Sequence, residues 1–390
     1  MIKKFAVVTT VGLLAAACGG GGEDTIDTTP TTEATTTTTE VAETTTTTTT
    51  EPAESTTTTT LVPGDDSIRQ PLTGEIVEST DELVALPALI VKIDNNDANA
   101  RQNHSGLAVA DIVFEEIVEG DTRFAAVFHT EGSDPVGPIR SGREQDVNLL
   151  SSFNEPLLAW SGGNPGVTRL IASSFLTDLN AQRNSGSYFR GPGRSPHDLY
   201  STTERLYELT PDDHPGPPAQ QFTYVPPGEE FEGMAHSEVQ LSLDGKSVRW
   251  EWDDAAGGYA RFQSGSRHTD VVHGDIFASN VIVLGVDYIP STIDAAAPDG
   301  QTLGSGPVFV FSNGQVQTGR WARELAVGPF RLTDADGEPI GLTPGNTWVE
   351  LADNDDASFT TRVGDDIDTA TIPQLDLGTP DAFPIDITIS

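Results

Sequence analysis

Between Asp24 and Thr60, 22 of 37 residues are threonine, and the stretch contains no aromatic side chain. Such a segment buries too little apolar surface to offset the entropy lost on ordering, so a disordered tether is expected over 19–64. Left unstructured, about 40 residues span roughly 35 Å on average. A compact fold must therefore be built from the residues that follow.

What precedes the tether reads as an export signal. Lys3 and Lys4 lead into an apolar run, Phe5 to Ala17, that ends in three alanines before Cys18. The run is shorter than the roughly 20 apolar residues of a membrane span and has the layout of a signal peptide. The alanines before Cys18 resemble a bacterial lipobox, which makes Cys18 the expected lipidation site and 1–18 the leader. Cys18 is the only cysteine of the 390 residues, so no internal disulfide and no cysteine nucleophile is available to the folded part. The expected location is extracytoplasmic, with membrane attachment through the lipid alone.

The whole chain holds 59 acidic and 21 basic residues, a net −38. Eight acids, Lys3 and Lys4 precede residue 61, which leaves 51 acids against 19 bases, a net −32, on the remaining 330 residues. That charge argues against nucleic acid and against anionic headgroups as broad-surface partners.

A body of 330 residues suits about two domains. The Pro/Gly/Asp-rich stretch TPDDHPGPPAQQFTYVPPGEEFEG (210–233) is the best internal boundary. Before it, 88–94, 111–120 and 123–130 read as strands, the last two as a hairpin. The runs 143–153 and 166–179 have helical spacing, and Ser201 with Glu204 forms a capping-box pattern before a helix at 201–209. After the boundary come short strands separated by Asp244-Gly245, Asp299-Gly300, Asn313-Gly314 and Asp336-Gly337, dipeptides that favour tight hairpins. The fold class read from this pattern is α+β, with a mixed α/β domain over 65–215 and a β-rich domain over 235–390.

Positive charge is concentrated in the first domain. Eight arginines lie between Arg123 and Arg205, and two glycine- and proline-containing runs are densest: GPIRSGR (137–143) and YFRGPGRSPHDLY (188–200). Guanidinium forks bind carboxylates and phosphates bidentately, so Arg123, Arg140, Arg143, Arg190 and Arg194 are candidate ligand-binding residues. Arg140, Arg143, Arg190 and Arg194 are expected to converge on one cleft. The other reading is that each arginine braces the fold against a neighbouring acid.

Two further constellations could carry chemistry. On a strand over 111–119, Asp111, Glu115 and Glu119 share one face with Val113 and Ile117, so Glu115 and Glu119 are candidates for acid/base work in a cleft. The other reading, a solvated edge of an antiparallel sheet in an acidic protein, is the one favoured. His197, and His268 with Asp270 and His273 in RHTDVVHGD, are the remaining candidates, although the His-x-Asp-x-x-His spacing fits no zinc signature. No metal and no cofactor is expected.

The order of motifs is similar to that of a known family. IVKIDNNDANARQNHSGLAVADIVFEEIVEGDTRFAAVFH, followed by VGPIRSGR and by SPHDLYSTTERLY, resembles the N-terminal region of the YerB-like bacterial lipoproteins. Asp198 stands where that family usually has Asn. In the second half, HTD (268–270), NVIVL (280–284), WARE (321–324) and LTPGNTWVEL (342–351) resemble the family's C-terminal domain. The resemblance implies two tandem domains of unknown function on a cell-surface lipoprotein.

Two functions stay open on these grounds. One is a module that binds an anionic cell-wall component, or a small anionic ligand, in an arginine-lined cleft of the first domain. The other is a hydrolase or transferase acting on wall polymer through Glu115 or Glu119 with His197 or His268. The lack of a complete catalytic signature favours binding. Replacing Cys18 by serine should release the protein from the membrane fraction or leave an unprocessed precursor; unchanged fractionation would overturn the lipid-anchor expectation.

Overall fold

The computed structural model describes residues 65–354 and the backbone of 360–362. The leader with Cys18, the tether expected over 19–64 and nearly all of the chain beyond 354 lie outside the described residues. No helix among the described residues is long and apolar enough to cross a membrane.

Three strands form the centre of the first half: β1 (Leu89–Asp94), β2 (Ile112–Val118) and β3 (Asp121–Phe128). Every residue in them is buried, as expected of near-continuous apolar runs covered on both faces. β2 and β3 form the expected antiparallel hairpin, with Val118 opposite Asp121 and Gly120 at φ +69° in the turn. β1 pairs with the far side of β3, and β4 (Leu157–Ala159) and β5 (Thr177–Asp178) follow in parallel. A small hairpin, β6 (Phe189–Arg190) with β7 (Leu199–Tyr200), completes this half.

The second half supplies β8 (Glu238–Leu243), β9 (Lys246–Asp253), β10 (Gly258–Gln263), β11 (Asn280–Val286), β12 (Gly304–Ser312), β13 (Gln315–Arg323), β14 (Arg331–Thr333) and β15 (Thr347–Asp353). β15 runs parallel to both β11 and β2 and joins the halves in one sheet, ordered β14-β13-β12-β11-β15-β2-β3-β1-β4-β5. β8, β9 and β10 belong to a second sheet. Alternation along the strands divides the core. Leu89, Val91, Val113 and Phe124 pack with Val239, Leu241 and Trp250 of the second sheet. Ile90, Ile112 and Phe114 pack with Leu149, Leu150 and Ile171.

Four short α-helices accompany the strands among the described residues: α1 (Ala98–Arg101), α2 (Gln145–Leu150), α3 (Pro165–Ala172) and α4 (Thr203–Tyr207). The α+β expectation therefore needs weighting towards strand. The helix read over 166–179 ends at Ala172, and β5 takes up 177–178. α4 is capped by Thr202, whose hydroxyl accepts from Arg205 N at 3.1 Å, while the Ser201 hydroxyl donates to Ser187 O instead. Asp244-Gly245 and Asn313-Gly314 turn hairpins with positive φ at both residues, as their composition predicts. Asp299-Gly300 does not; it pairs as strand with Tyr288 and Ile289.

The β2–β15 register sets Glu115 directly opposite Glu350, both fully buried. Two adjacent interior carboxylates cannot both ionise cheaply. Burial, and then the charge of Glu115, push Glu350 well above the usual carboxylate range, so it keeps its proton, and Trp250 Nε1 donates to it at 2.8 Å. Glu115 is met by the guanidinium of Arg261 from β10 and by the Thr122 hydroxyl at 2.6 Å. Arg261 is itself fully buried among the rings of Trp348, Phe124 and Trp250, with centroids 4.9–5.6 Å from its guanidinium carbon. Removing one partner of such a pair leaves a bare buried charge. Arg261→Met should therefore lower unfolding free energy by about 3–5 kcal/mol in denaturant titration. Adding Glu115→Gln to Arg261→Met should recover part of that loss; no recovery would show that the arginine acts through packing alone.

Candidate functional site

Asp94, the last residue of β1, is the hinge of the site. Its carboxylate is fully buried, and Oδ2 meets both His197 Nδ1 and Arg140 Nε, the latter at 3.2 Å. Oδ1 accepts from Asn96 N at 3.1 Å. His197 and Arg140 retain 11% and 22% side-chain exposure, so a sealed carboxylate holds two cationic or protonatable groups at the surface. The sequence pattern alone did not mark Asp94, because its histidine lies 103 residues away.

From the Asp94 backbone a hydrogen-bonded chain runs into the second half. Arg261 Nη1 approaches His268 Nδ1 at 2.6 Å, His268 Nε2 approaches His104 Nδ1 at 2.7 Å, and His104 Nε2 approaches Asp94 O at 2.6 Å. A guanidinium can only donate and a carbonyl can only accept, so the two ends fix the direction. Arg261 donates to His268, His268 to His104, and His104 to the carbonyl, with one proton on each ring. Burial lowers both histidines, His104 to about 4 and His268 well below its ordinary value, in keeping with neutral rings.

The arginines separate. Arg140 and Arg190 line one cavity of ≈ 540 Å³ together with Ser161, Gln182, Tyr188 and Phe189. Arg143 lines a neighbouring cavity of ≈ 350 Å³ that shares Ser161 and Gln182. Its fork is closed on Glu119, with Nε and Nη2 donating at 2.8 and 2.6 Å. Arg123 is sealed inside β3, donating to Ser141 O at 2.9 Å. Burial, then Arg143 and Arg140, depress it to about 10, which marks the three as electrostatic neighbours. Arg194 is exposed on the loop joining β6 to β7, where its charge acts on Asp97. The expectation of one cleft for 140, 143, 190 and 194 is thus corrected. The β6–β7 hairpin carries Arg190 into the cavity wall, whereas Arg194 on the loop between them lines neither cavity. Arg140, Arg143 and Arg190 each meet an acid, Asp94, Glu119 and Asp198 in turn.

The acid candidates are also redistributed. Glu115 and Glu119 share no cleft, because β2 is interior and flanked by β15 and β3, which seals Glu115 in the core. Glu119, past the strand end, would be raised by burial, but the hydrogen bonds from Arg143 hold it below its usual value. A depressed carboxylic acid is a poor proton donor near neutrality. His268, Asp270 and His273 diverge. Asp270 braces a turn by accepting from Val272 N and His273 N, and His273 Nε2 lies 3.0 Å from Ser133 Oγ. Asp198 pairs with Arg190 rather than with His197, at 2.5 Å.

Two family models match the chain. Residues 72–215 match the N-terminal domain, and 238–349 the C-terminal domain, of a protein of unknown function, DUF3048. The chain belongs to the DUF3048 family. A relative named as a lipoprotein, YerB of Bacillus subtilis (strain 168), is 27% identical over 305 residues, 75% of this chain and 88% of its own length. The crystal structure of the YerB protein from Bacillus subtilis superposes with a TM-score of 0.63 at 24% identity, covering 75% of this chain and 99% of that one. In DUF3048 terms, Asp94, Arg140, Arg190 and His197 all fall in the N-terminal segment, whereas Arg261 and His268 come from the C-terminal one.

His104 offers a test of the chain. Unfolded histidine takes up a proton near 6.5 and His104 in the fold near 4, so its contribution is complete above 6.5 and is lost as pH falls towards 4. His104→Gln keeps a donor and an acceptor but does not titrate. Unfolding free energies at pH 7 and pH 4 should shift by roughly 3 kcal/mol in the variant's favour relative to wild type. Parallel profiles would show that His104 takes up its proton as readily in the fold as in the unfolded chain, and the neutral-ring assignment would fall.

Proposed function

We propose that this chain is an extracytoplasmic lipoprotein that binds an anionic component of the cell envelope in the cavity lined by Arg140 and Arg190. The lipoprotein part draws on the leader ending at Cys18 and on the similarity to YerB. The binding part draws on one observation: two guanidinium groups line a single open cavity on a body of net −32. An approaching anion meets long-range repulsion elsewhere, and a local cationic wall gives it one favourable place. Arg190 is suited to exchange partners. Its side chain is 60% exposed and its pair with Asp198 lies at the surface, where such pairs contribute about 0–1 kcal/mol. Tyr188 and Phe189 supply flat apolar surface beside the charge.

The enzymatic alternative rests on the Asp94–His197 pair. A buried carboxylate on Nδ1 orients an imidazole as it does in acid/base sites, and Arg140 on the same carboxylate reaches the cavity. Under this reading His197 replaces both glutamates as the acid/base group on wall polymer.

Purified protein mixed with isolated cell walls separates the two. Retention in the pellet should fall about tenfold or more for Arg190→Ala, the equivalent of one lost charge-assisted contact, and Arg190→Lys should restore only part of it. Wall fragments released by wild type but not by His197→Gln would favour the enzyme. Retention indifferent to Arg190 would remove the binding proposal.

A further inference from the structure

We infer that the Arg140/Arg190 cavity is one end of a continuous groove that takes an extended peptide bearing a free carboxylate at one end and an amino group further along. This rests on the anion-binding reading above and extends it to the class of ligand.

Three cavities adjoin. The arginine-lined one shares Ser161 and Gln182 with the cavity at Arg143, and that one shares Glu119 and Ala297 with a third, of ≈ 360 Å³. The charge along this path changes sign. At the first end stand Arg140 and Arg190. In the middle, Arg143 and Glu119 pair, and Glu144 is committed to the 291–293 loop, accepting from the Thr292 hydroxyl at 2.5 Å and from Ile293 N at 3.2 Å. Asp294, which accepts from Ala296 N at 3.2 Å, already tips the balance there towards negative charge. At the far end the charged lining besides the paired Glu119 is Asp244 and Asp353, with no lysine or arginine, beside the apolar surface of Tyr288, Ile289 and Pro290.

A uniformly anionic polymer fits only the first end of such a path and is repelled at the other. A chain with separated charges of opposite sign fits both, since complementary potentials select orientation and register. The middle favours a peptide backbone. Its walls are the Ser161–Gly162–Gly163–Asn164 turn leading into α3 and the Gln182 side chain, a set of amide and hydroxyl groups within reach of a ligand's N–H and C=O. Both family segments contribute walls, because Ser291, Asp294 and Ala297 line the middle from the second half. The groove therefore needs both halves of the chain, held together here by Glu144 on the 291–293 loop and by Gln145, which accepts from Gly300 N at 2.7 Å.

The test is calorimetric titration of the full-length protein with a synthetic N-acetyl pentapeptide that has an internal lysine and a free C-terminal carboxylate. Amidating the C-terminus should weaken binding about tenfold or more, as should Arg190→Ala. Acetylating the lysine should weaken it by about two- to fivefold, in line with an exposed ion pair. Asp244→Asn should do the same and should reduce the effect of lysine acetylation, Asp353 remaining in the lining. Asparagine tolerates the φ of +47° at this position, so the hairpin turn with Gly245 is kept. Binding that needs the carboxylate and Arg190 but ignores both lysine acetylation and Asp244→Asn would overturn the groove and leave the anion cavity standing. Binding of poly(glycerol phosphate) but of no peptide would do likewise. If neither probe shows any dependence on Arg190, both readings fall.

Discussion

Much of this molecule depends on the way two glutamates are accommodated. The parallel pairing of β2 with β15 places Glu115 across from Glu350 in the interior, where two negative charges would be prohibitive. Glu350 stays protonated, and one cation, Arg261, is delivered from the second sheet to Glu115. That cation is in turn tolerable because three aromatic rings and three hydrogen-bond acceptors, on Glu115, Gln263 and His268, enclose it. Sheet register, protonation and sheet-on-sheet packing therefore specify one another. A slip of one residue in the register would turn Glu115 to the opposite face, away from Arg261.

The same arginine reaches the candidate site. Through His268 and His104 it holds the carbonyl of Asp94, whose carboxylate then holds His197 and Arg140. The cavity belongs to the first half, yet Asp94, whose carboxylate meets the lining residue Arg140, is tied through its backbone to the second. A buried polar chain in which every ring has one fixed donor and one fixed acceptor has little freedom to rearrange, which suits a site that must present charge at a set position.

The sequence discloses local order better than encounters. β1, β2 and β3 were legible as strands, and β2 and β3 as a hairpin, because buried runs and turn glycines act within a few residues. The cap of α4 was misread by one position because Ser201 and Thr202 are both competent, and tertiary bonding to Ser187 decides between them. Alternation located Glu115 on one face of β2 but could not say what covers that face. The answer, Arg261, lies 146 positions away. The proline-rich stretch at 210–233 separates the two family segments in sequence, while β15 returns to unite them in space. Arginine density pointed to the right half of the molecule, and only the direction of the β6–β7 hairpin could divide Arg190 from Arg194.

The position of β15 also has a kinetic meaning. A chain is synthesised from its N-terminus, so β2 is complete long before residues 347–353 exist to cover its open edge. Until then it is a hydrophobic edge strand that any other strand could extend. Glu115 and Glu116 lie in the middle of that edge, and on an uncovered strand both would be ionised and would discourage such pairing. The side chains that are hardest to bury in the finished sheet are thus the ones that guard its unfinished form, and arrival of β15 closes the edge they guarded.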